Sequence, residues 1–384
     1  MQHSDKNIRL LNSWIFEPPQ EEDPFYETYS VRTDLALEAT EVVKAARKEE
    51  IPGANVEVID GEYAKVTRMG ILTVQAAKAL GKMPGHYSTI EAPQMRTRNR
   101  DLQEEVSQLL AKEVERFLKR IGPDDPVLVV GLGNWNATPD AIGPRVVHHL
   151  LITRHLHKFA PPELAGGLRP VAAISPGVMG ITGIETGEIV LGLVKQIKPA
   201  MVVAIDALAS RSVERVCTTI QISDTGINPG AGIGNKRLGI TPETLGVPVL
   251  AIGIPTVVHA TTLVNDALRI IEGENAKGET NQAPPAPKTR FGKINLLGGG
   301  QNQATEESQE EPETVNRLAA LSRMHPHQKS QVIHQLLDPF MGSLIMTPKE
   351  IDIFIEDMAE VVAGGLNAAF HPSVKLDEVL KYLK

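Results

Sequence analysis

Two aspartates hold the positions in this sequence where chemistry is easiest to place. Asp206 directly follows the apolar run Met201-Val202-Val203-Ala204-Ile205. Asp140 closes Gly131-Leu132-Gly133-Asn134-Trp135-Asn136-Ala137-Thr138-Pro139-Asp140, which follows Val127-Leu128-Val129-Val130. In open parallel sheets, ligands bind beyond the carboxyl ends of strands, so both acids can converge in one crevice. Like charges at close range resist double ionisation; one carboxyl keeps a proton while the other acts as base. The base activates a water, and the protonated partner polarises a scissile carbonyl and assists the leaving amine. That is peptide-hydrolysis chemistry. The same acids could hold a metal, although catalytic zinc sites ordinarily use three protein ligands, usually including His.

Other readings of these and neighbouring residues stay open. Asp140 stands where a helix begins, and an Asp there often only caps it. Gly131-Leu132-Gly133-Asn134 resembles a phosphate-cradling turn without the third glycine of a dinucleotide fingerprint, which leaves a nucleotide enzyme as an alternative. Ser210 and Ser212 lack evident His and Asp partners. His148, His149, His155 and His157 fall in or just after a helix and read as helix surface; His259 is the remaining metal candidate. Cys217, the single cysteine, opens a strand and reads as buried. It leaves no intramolecular disulfide, in keeping with a reducing setting. The Gly- and Pro-rich stretches 175–180 and 224–230 follow strand-like runs and read as borders of the same crevice, or as plain turns. Lys236 and Arg237 offer positive charge for an acidic substrate side chain.

These residues need a frame. Leu102, Val106, Leu109, Leu110, Val114, Phe117, Leu118 and Ile121 recur every three or four positions, predicting a helix over 101–121 that Gly122 and Pro123 stop. The period then changes, and 127–130 has the continuous aliphatic character of a strand covered on both faces. The alternation continues with a helix over 141–153, a strand at 171–174, a helix over 187–197 and a strand at 201–205. Strands at 218–222 and 247–252 and a helix over 257–271 follow. Such alternation predicts βαβ units, a mostly parallel sheet and a three-layer α/β/α sandwich. Residues 272–312 carry Pro284-Pro285-Ala286-Pro287, Gly298-Gly299-Gly300 and an acidic stretch, too little apolar surface to order themselves. Near the end, Thr347-Pro348-Lys349-Glu350 supplies an N-cap, a proline at the first helical position and a capping-box Glu. Ile351, Phe354, Ile355, Met358, Val361, Val362 and Leu366 form the stripe of the helix behind it. The expected organisation is an α/β catalytic domain over 35–271, a flexible insertion over 272–314 and a C-terminal helical segment over 315–384 packing on that domain.

Composition excludes several function classes. Lys and Arg number 39 against 47 Asp and Glu, a formal charge of −8, which argues against general nucleic-acid binding. No apolar run approaches the roughly 18 residues a membrane span needs. The N-terminal region has Pro18, Pro19 and Pro24 among acids and lacks a secretory pattern, so a cytoplasmic protein is expected. Aromatic residues are only 4%, leaving Val, Ile, Leu and Ala to build the core.

Several long strings carry a family resemblance. They are Ser30-Val31-Arg32-Thr33-Asp34-Leu35-Ala36, the 131–140 string above, Pro176-Gly177-Val178-Met179-Gly180-Ile181-Thr182-Gly183-Ile184-Glu185-Thr186 and Ala204-Ile205-Asp206-Ala207-Leu208-Ala209. Ile222-Ser223-Asp224-Thr225-Gly226-Ile227 and Met346-Thr347-Pro348-Lys349-Glu350 complete the set. In these the chain resembles the germination proteases of spore-forming bacteria. The resemblance implies a homotetrameric zymogen, in the forespore and spore core, that starts the breakdown of small acid-soluble spore proteins. It implies a phosphorylase/hydrolase-like sandwich similar to hydrogenase-maturation endopeptidases, no cofactor, no metal, and catalytic aspartates at Asp140 and Asp206. A metal-dependent relative of the fold adds a histidine whose motif is absent here. Family substrates are cut after an acid and before a bulky residue followed by Ala. Thr33-Asp34-Leu35-Ala36 resembles that pattern, predicting self-cleavage between Asp34 and Leu35, with 1–34 as propeptide. Self-processing in relatives accompanies acidification, compatible with control by carboxylates. The rival readings are a metal-dependent maturation endopeptidase of the same fold and a non-catalytic oligomeric binder of spore proteins.

Overall fold

A computed structural model of the chain describes residues 33–47, 51–159, 168–227, 238–260, 263 and 344–372. The chain divides into two compact units, Met1–Ser30 with Leu263–Gly342, and Val31–Thr262 with Ser343–Lys384. Apart from Leu263, the first unit lies outside the described residues, as do the expected insertion over 272–314 and most of the expected propeptide. Lys236 and Arg237 lie outside them too.

The second unit is organised on one sheet. Its described strands are β1 (Ala54–Asp60), β2 (Lys65–Ile71), β3 (Gly85–Glu91), β4 (Val127–Gly131), β5 (Val171–Ile174), β6 (Met201–Ser210), β7 (Thr219–Ser223), β8 (Val249–His259) and β9 (Ile345–Met346). They lie in the order β1-β2-β3-β7-β8-β6-β4-β5, with β9 on β8. The half β8-β6-β4-β5 is parallel, as the aliphatic runs predict. The other half is antiparallel throughout, which corrects the expectation of a mostly parallel sheet. In particular β7 runs against β8, so residues 224–227 fall at the opposite end of the sheet from Asp206 and do not border its crevice. β8 continues through His259, so 257–259 are strand where a helix was expected; pairing with β6 and β9 holds them extended.

Helices cover both faces. The longer ones among the described residues are α1 (Ala36–Arg47), α2 (Val74–Leu80), α3 (Arg100–Leu118), α4 (Ile142–His149), α5 (Thr186–Ile197) and α6 (Ile351–Phe370). Successive strand residues face opposite ways. Leu128, Val130, Val202, Ala204 and Val249 pack with Val190 and Val194 of α5. The alternate residues of β4 and β6 face α4, which α6 covers, with α3 beside it. Close approach of α4 to the sheet depends on Gly131 and Gly143: a Cβ on Gly131 would strike the Gly143 carbonyl, and one on Gly143 would strike the Leu132 backbone just past β4 and the Ile205 carbonyl of β6. The result is a three-layer α/β/α sandwich.

The ends of the helices follow local chemistry. Asn99 caps α3 by accepting the Asp101 N–H at 2.9 Å. The expected capping box before α6 does not form: Thr347 donates its hydroxyl to the Thr256 carbonyl at 2.8 Å, and the helix starts behind Glu350 without a side-chain cap. Thr347 thereby fastens the entry of α6 to β8. Farther along, buried Asn367 accepts the Leu151 N–H at 2.8 Å and donates to the His149 carbonyl, tying α6 to the end of α4. Glu113 of α3 is buried and accepts from Arg68 at 2.7 Å, Ser88 at 2.7 Å and Arg116 at 2.8 Å, locking α3 to β2 and β3. Burial opposes its ionisation, but these donors prevail and hold the carboxyl below its ordinary range. Among the described residues, no helix is long and apolar enough to cross a membrane.

Candidate active site

Asp206 sits in β6 one residue beyond the last pairing with β4, Gly131 opposite Ile205. Past this point β4 has ended and no longer covers that side of β6. Asp206 accepts the Ala207 N–H at 2.9 Å through Oδ1. Asp206 as a residue is half-buried, and its pKa is pushed up to about 8. Burial is the largest cause, the negative charge of Asp140 the next, and Asp34 adds to it against the Ala207 N–H.

Asp140 ends a short 3-10 turn, Thr138–Asp140, ahead of α4. It is not the helix cap: Ala141 holds that position, and no side chain caps the helix. Asp140 turns back instead, accepting the Asn134 N–H at 2.8 Å through Oδ2, with its main-chain oxygen on the same N–H at 3.1 Å. The reversal needs Gly133, whose φ of +114° suits glycine and whose added Cβ would strike the Asp140 carbonyl. Burial raises the Asp140 pKa, partly offset by the Asn134 N–H. The Leu132 N–H is likewise committed, to the Ile205 carbonyl at 2.8 Å. Two amides of the supposed phosphate turn are therefore already used.

The Asp34–Leu35 peptide reaches the same region. Asp34 donates its N–H to the Ala209 carbonyl at 3.1 Å, and its carboxylate Oδ2 accepts the Ala209 N–H at 2.8 Å. The Asp34 carbonyl accepts from Lys82 Nζ at 2.9 Å and from Gln221 Nε2 at 3.3 Å. Gln221 Oε1 in turn accepts the Ala36 N–H at 2.6 Å, and Leu35 between these contacts is fully buried. Asp206 pairs with Gly253 of β8, and Gly253 with Gln221 of β7, so the three share one row across the sheet. Directly paired residues face the same way, which puts Asp206 and Gln221 on one face. The negative charges of Asp140 and Asp34 both act on Asp206, so the three acids lie in one region of the sheet.

The remaining candidates are placed elsewhere. Ser210 is buried and donates to the Ser212 carbonyl at 2.8 Å. Cys217 is buried as expected, in a left-handed conformation, and burial pushes its thiol up to about 12. His149 corrects the helix-surface reading: α6 covers it, and it contacts Glu356 at 2.7 Å. With Glu356 and Glu360 it forms a group close enough to share a metal ion, though Arg145 already pairs with Glu356. Asp224 binds Arg120 at 3.0 Å and His86. Residues 33–36 were singled out in the sequence, but Lys82 and Gln221 were missed. Gln221 left a faint signal, a long amide between Ile220 and Ile222 in a buried strand. Lys82 left none.

The family model described as germination protease matches residues 32–383. The chain is 44% identical to the germination protease of Halalkalibacterium halodurans over 93% of its length and 98% of that protein. It is also 44% identical to the germination proteases of Bacillus mycoides and Bacillus anthracis, in each case over 92% of this chain and 97% of the relative. The chain belongs to the germination protease family, a family of endopeptidases.

Proposed function

We propose that this protein is a self-processing zymogen whose aspartate dyad, Asp140 and Asp206, cleaves the Asp34–Leu35 bond and then small acid-soluble spore proteins. The observation that carries the proposal is that Asp140 and Asp34 both act on the Asp206 carboxyl by their charge, which puts the residue before the cut beside the dyad. Unequal environments divide the labour between the acids. Asp206, pushed up to about 8, holds the proton at neutral pH. Asp140, which accepts a backbone N–H and is raised less strongly, ionises first and serves as base toward water. Recognition of the acid before the cut is supported by the Ala209 N–H on the Asp34 carboxylate, and of the residue after it by the buried setting of Leu35. Residues 1–34 are then the propeptide, the working location is the spore core, and the working form is a homotetramer, as the family resemblance implies.

The test is digestion of a purified small acid-soluble spore protein by wild type and by Asp140→Asn, each with and without chelator. Cleavage after an acidic residue by wild type alone, indifferent to chelator, is the expected result. Loss of cleavage with chelator would favour the metal-dependent alternative. Equal cleavage by Asp140→Asn, or tight binding without cleavage by both, would overturn the dyad.

A further inference from the structure

We infer that Lys82 and Gln221 form the clamp that holds the Asp34–Leu35 peptide in register and stabilises the oxyanion formed when it is cut. The inference rests on the self-processing proposed above.

Two donors from separate elements meet one carbonyl oxygen. Lys82 follows Gly81, the C-cap of α2, and its ammonium lies 2.9 Å from the Asp34 oxygen and 3.1 Å from the Thr33 oxygen. Gln221 projects from β7 and holds the chain on both sides of Leu35, donating to the Asp34 carbonyl and accepting from Ala36 N–H. Such a two-point hold fixes which carbonyl faces the donors, as a neighbouring strand would. Lys82 is half-buried, and burial lowers its pKa while Asp34 and Glu38 oppose that shift. Its ammonium points at the one atom that gains negative charge during hydrolysis, where a preorganised donor acts most strongly.

The step balances as follows. The water oxygen bonds to the Asp34 carbonyl carbon and its proton passes to Asp140. The C=O electron pair moves onto the oxygen, against the Lys82 ammonium and the Gln221 amide. The pair then returns, the C–N bond breaks, and Asp206 gives its proton to the Leu35 nitrogen.

The experiment follows loss of residues 1–34 by intact mass in full-length wild type, Lys82→Met, Lys82→Arg, Gln221→Glu and Asp206→Asn, with a thermal melt of each. Lys82→Met is expected to slow cleavage roughly 100-fold, the scale of losing one oxyanion donor. Lys82→Arg is expected to recover part of the rate. Gln221→Glu, which keeps the Ala36 acceptor and loses the Asp34 donor, is expected to slow cleavage roughly tenfold. Melting temperatures should stay near wild type. Cleavage of Lys82→Met at the wild-type rate would overturn the inference while Asp206→Asn remains uncut and the dyad stands. Equal rate loss in Lys82→Met and Lys82→Arg, tracking a lower melting temperature, would reduce Lys82 to a structural role. Cleavage of Asp206→Asn at the wild-type rate would sink the dyad itself and this inference with it.

Discussion

Replacing Asp206 with Asn should make the fold more stable, and increasingly so as pH rises. The Asp206 carboxyl titrates at about 8 in the folded protein against a reference of 3.8. Between those values the native state holds a proton that the unfolded chain has released. Unfolding free energy therefore falls with pH, by up to about 1.4 kcal/mol per unit. The sign follows from the raised pKa: this contribution is fully present below the unfolded value and is lost as pH rises through the folded one. Over pH 5 to 7 the loss amounts to at most about 3 kcal/mol, nearer 2 kcal/mol once screening at a half-buried residue is allowed for. Asn carries no proton and lacks this slope. Urea unfolding of full-length wild type and Asp206→Asn at pH 5, 6 and 7, with intact mass checked after each titration, measures the difference. A difference that stays within about 0.5 kcal/mol across the range would refute the burial argument, since that is the scatter of substitutions with no special environment.

Three further outcomes follow from the same geometry. Because Asp206 keeps its proton up to about 8, the self-cleavage rate should hold through neutral pH and fall near pH 8, with the limb belonging to the pair of acids; initial rates from pH 4 to 9 locate it, and a fall centred near 6 would contradict the assignment. Gly133→Ala forces a side chain onto the Asp140 carbonyl at a φ of +114° and should lower activity by roughly 100-fold while costing about 1–3 kcal/mol of stability; cleavage rate and denaturant midpoint read both. Glu113→Ala strands Arg68 and Ser88 and should destabilise by about 3 kcal/mol with little effect on cleavage by the folded protein, and a denaturant midpoint equal to wild type would count against the buried network.

How much of this was legible depended on where each element gets its order. The stripe of α3 and the aliphatic runs of β4, β5 and β6 are covered by the core, so their sequence carries the pattern. β1 is an edge strand with five of seven residues exposed; Asn55-Val56-Glu57-Val58 alternates, but both valines are exposed, so the pattern marks no core face. β2 and β3 are held by their partners more than by their own composition. The end of β8 was mistaken for a helix because Val257, Val258 and the residues after them fit a helical stripe; only pairing with β6 and β9 keeps 257–259 extended. At the site, Asp140 and Asp206 were found because strand ends expose them. The strand direction of β7, which brings Gln221 opposite Gly253, and the reach of Lys82 are long-range facts that no local pattern encodes.

The central claim, that the two aspartates cut the Asp34–Leu35 bond, is tested most directly by the new N-terminus. Full-length wild type, Asp140→Asn and Asp206→Asn are incubated at mildly acid pH and read by intact mass spectrometry. The account predicts loss of residues 1–34 from wild type alone, leaving Leu35 at the front of the chain. Loss of the same segment from either variant at the wild-type rate, or a wild-type cut at another bond, would contradict it.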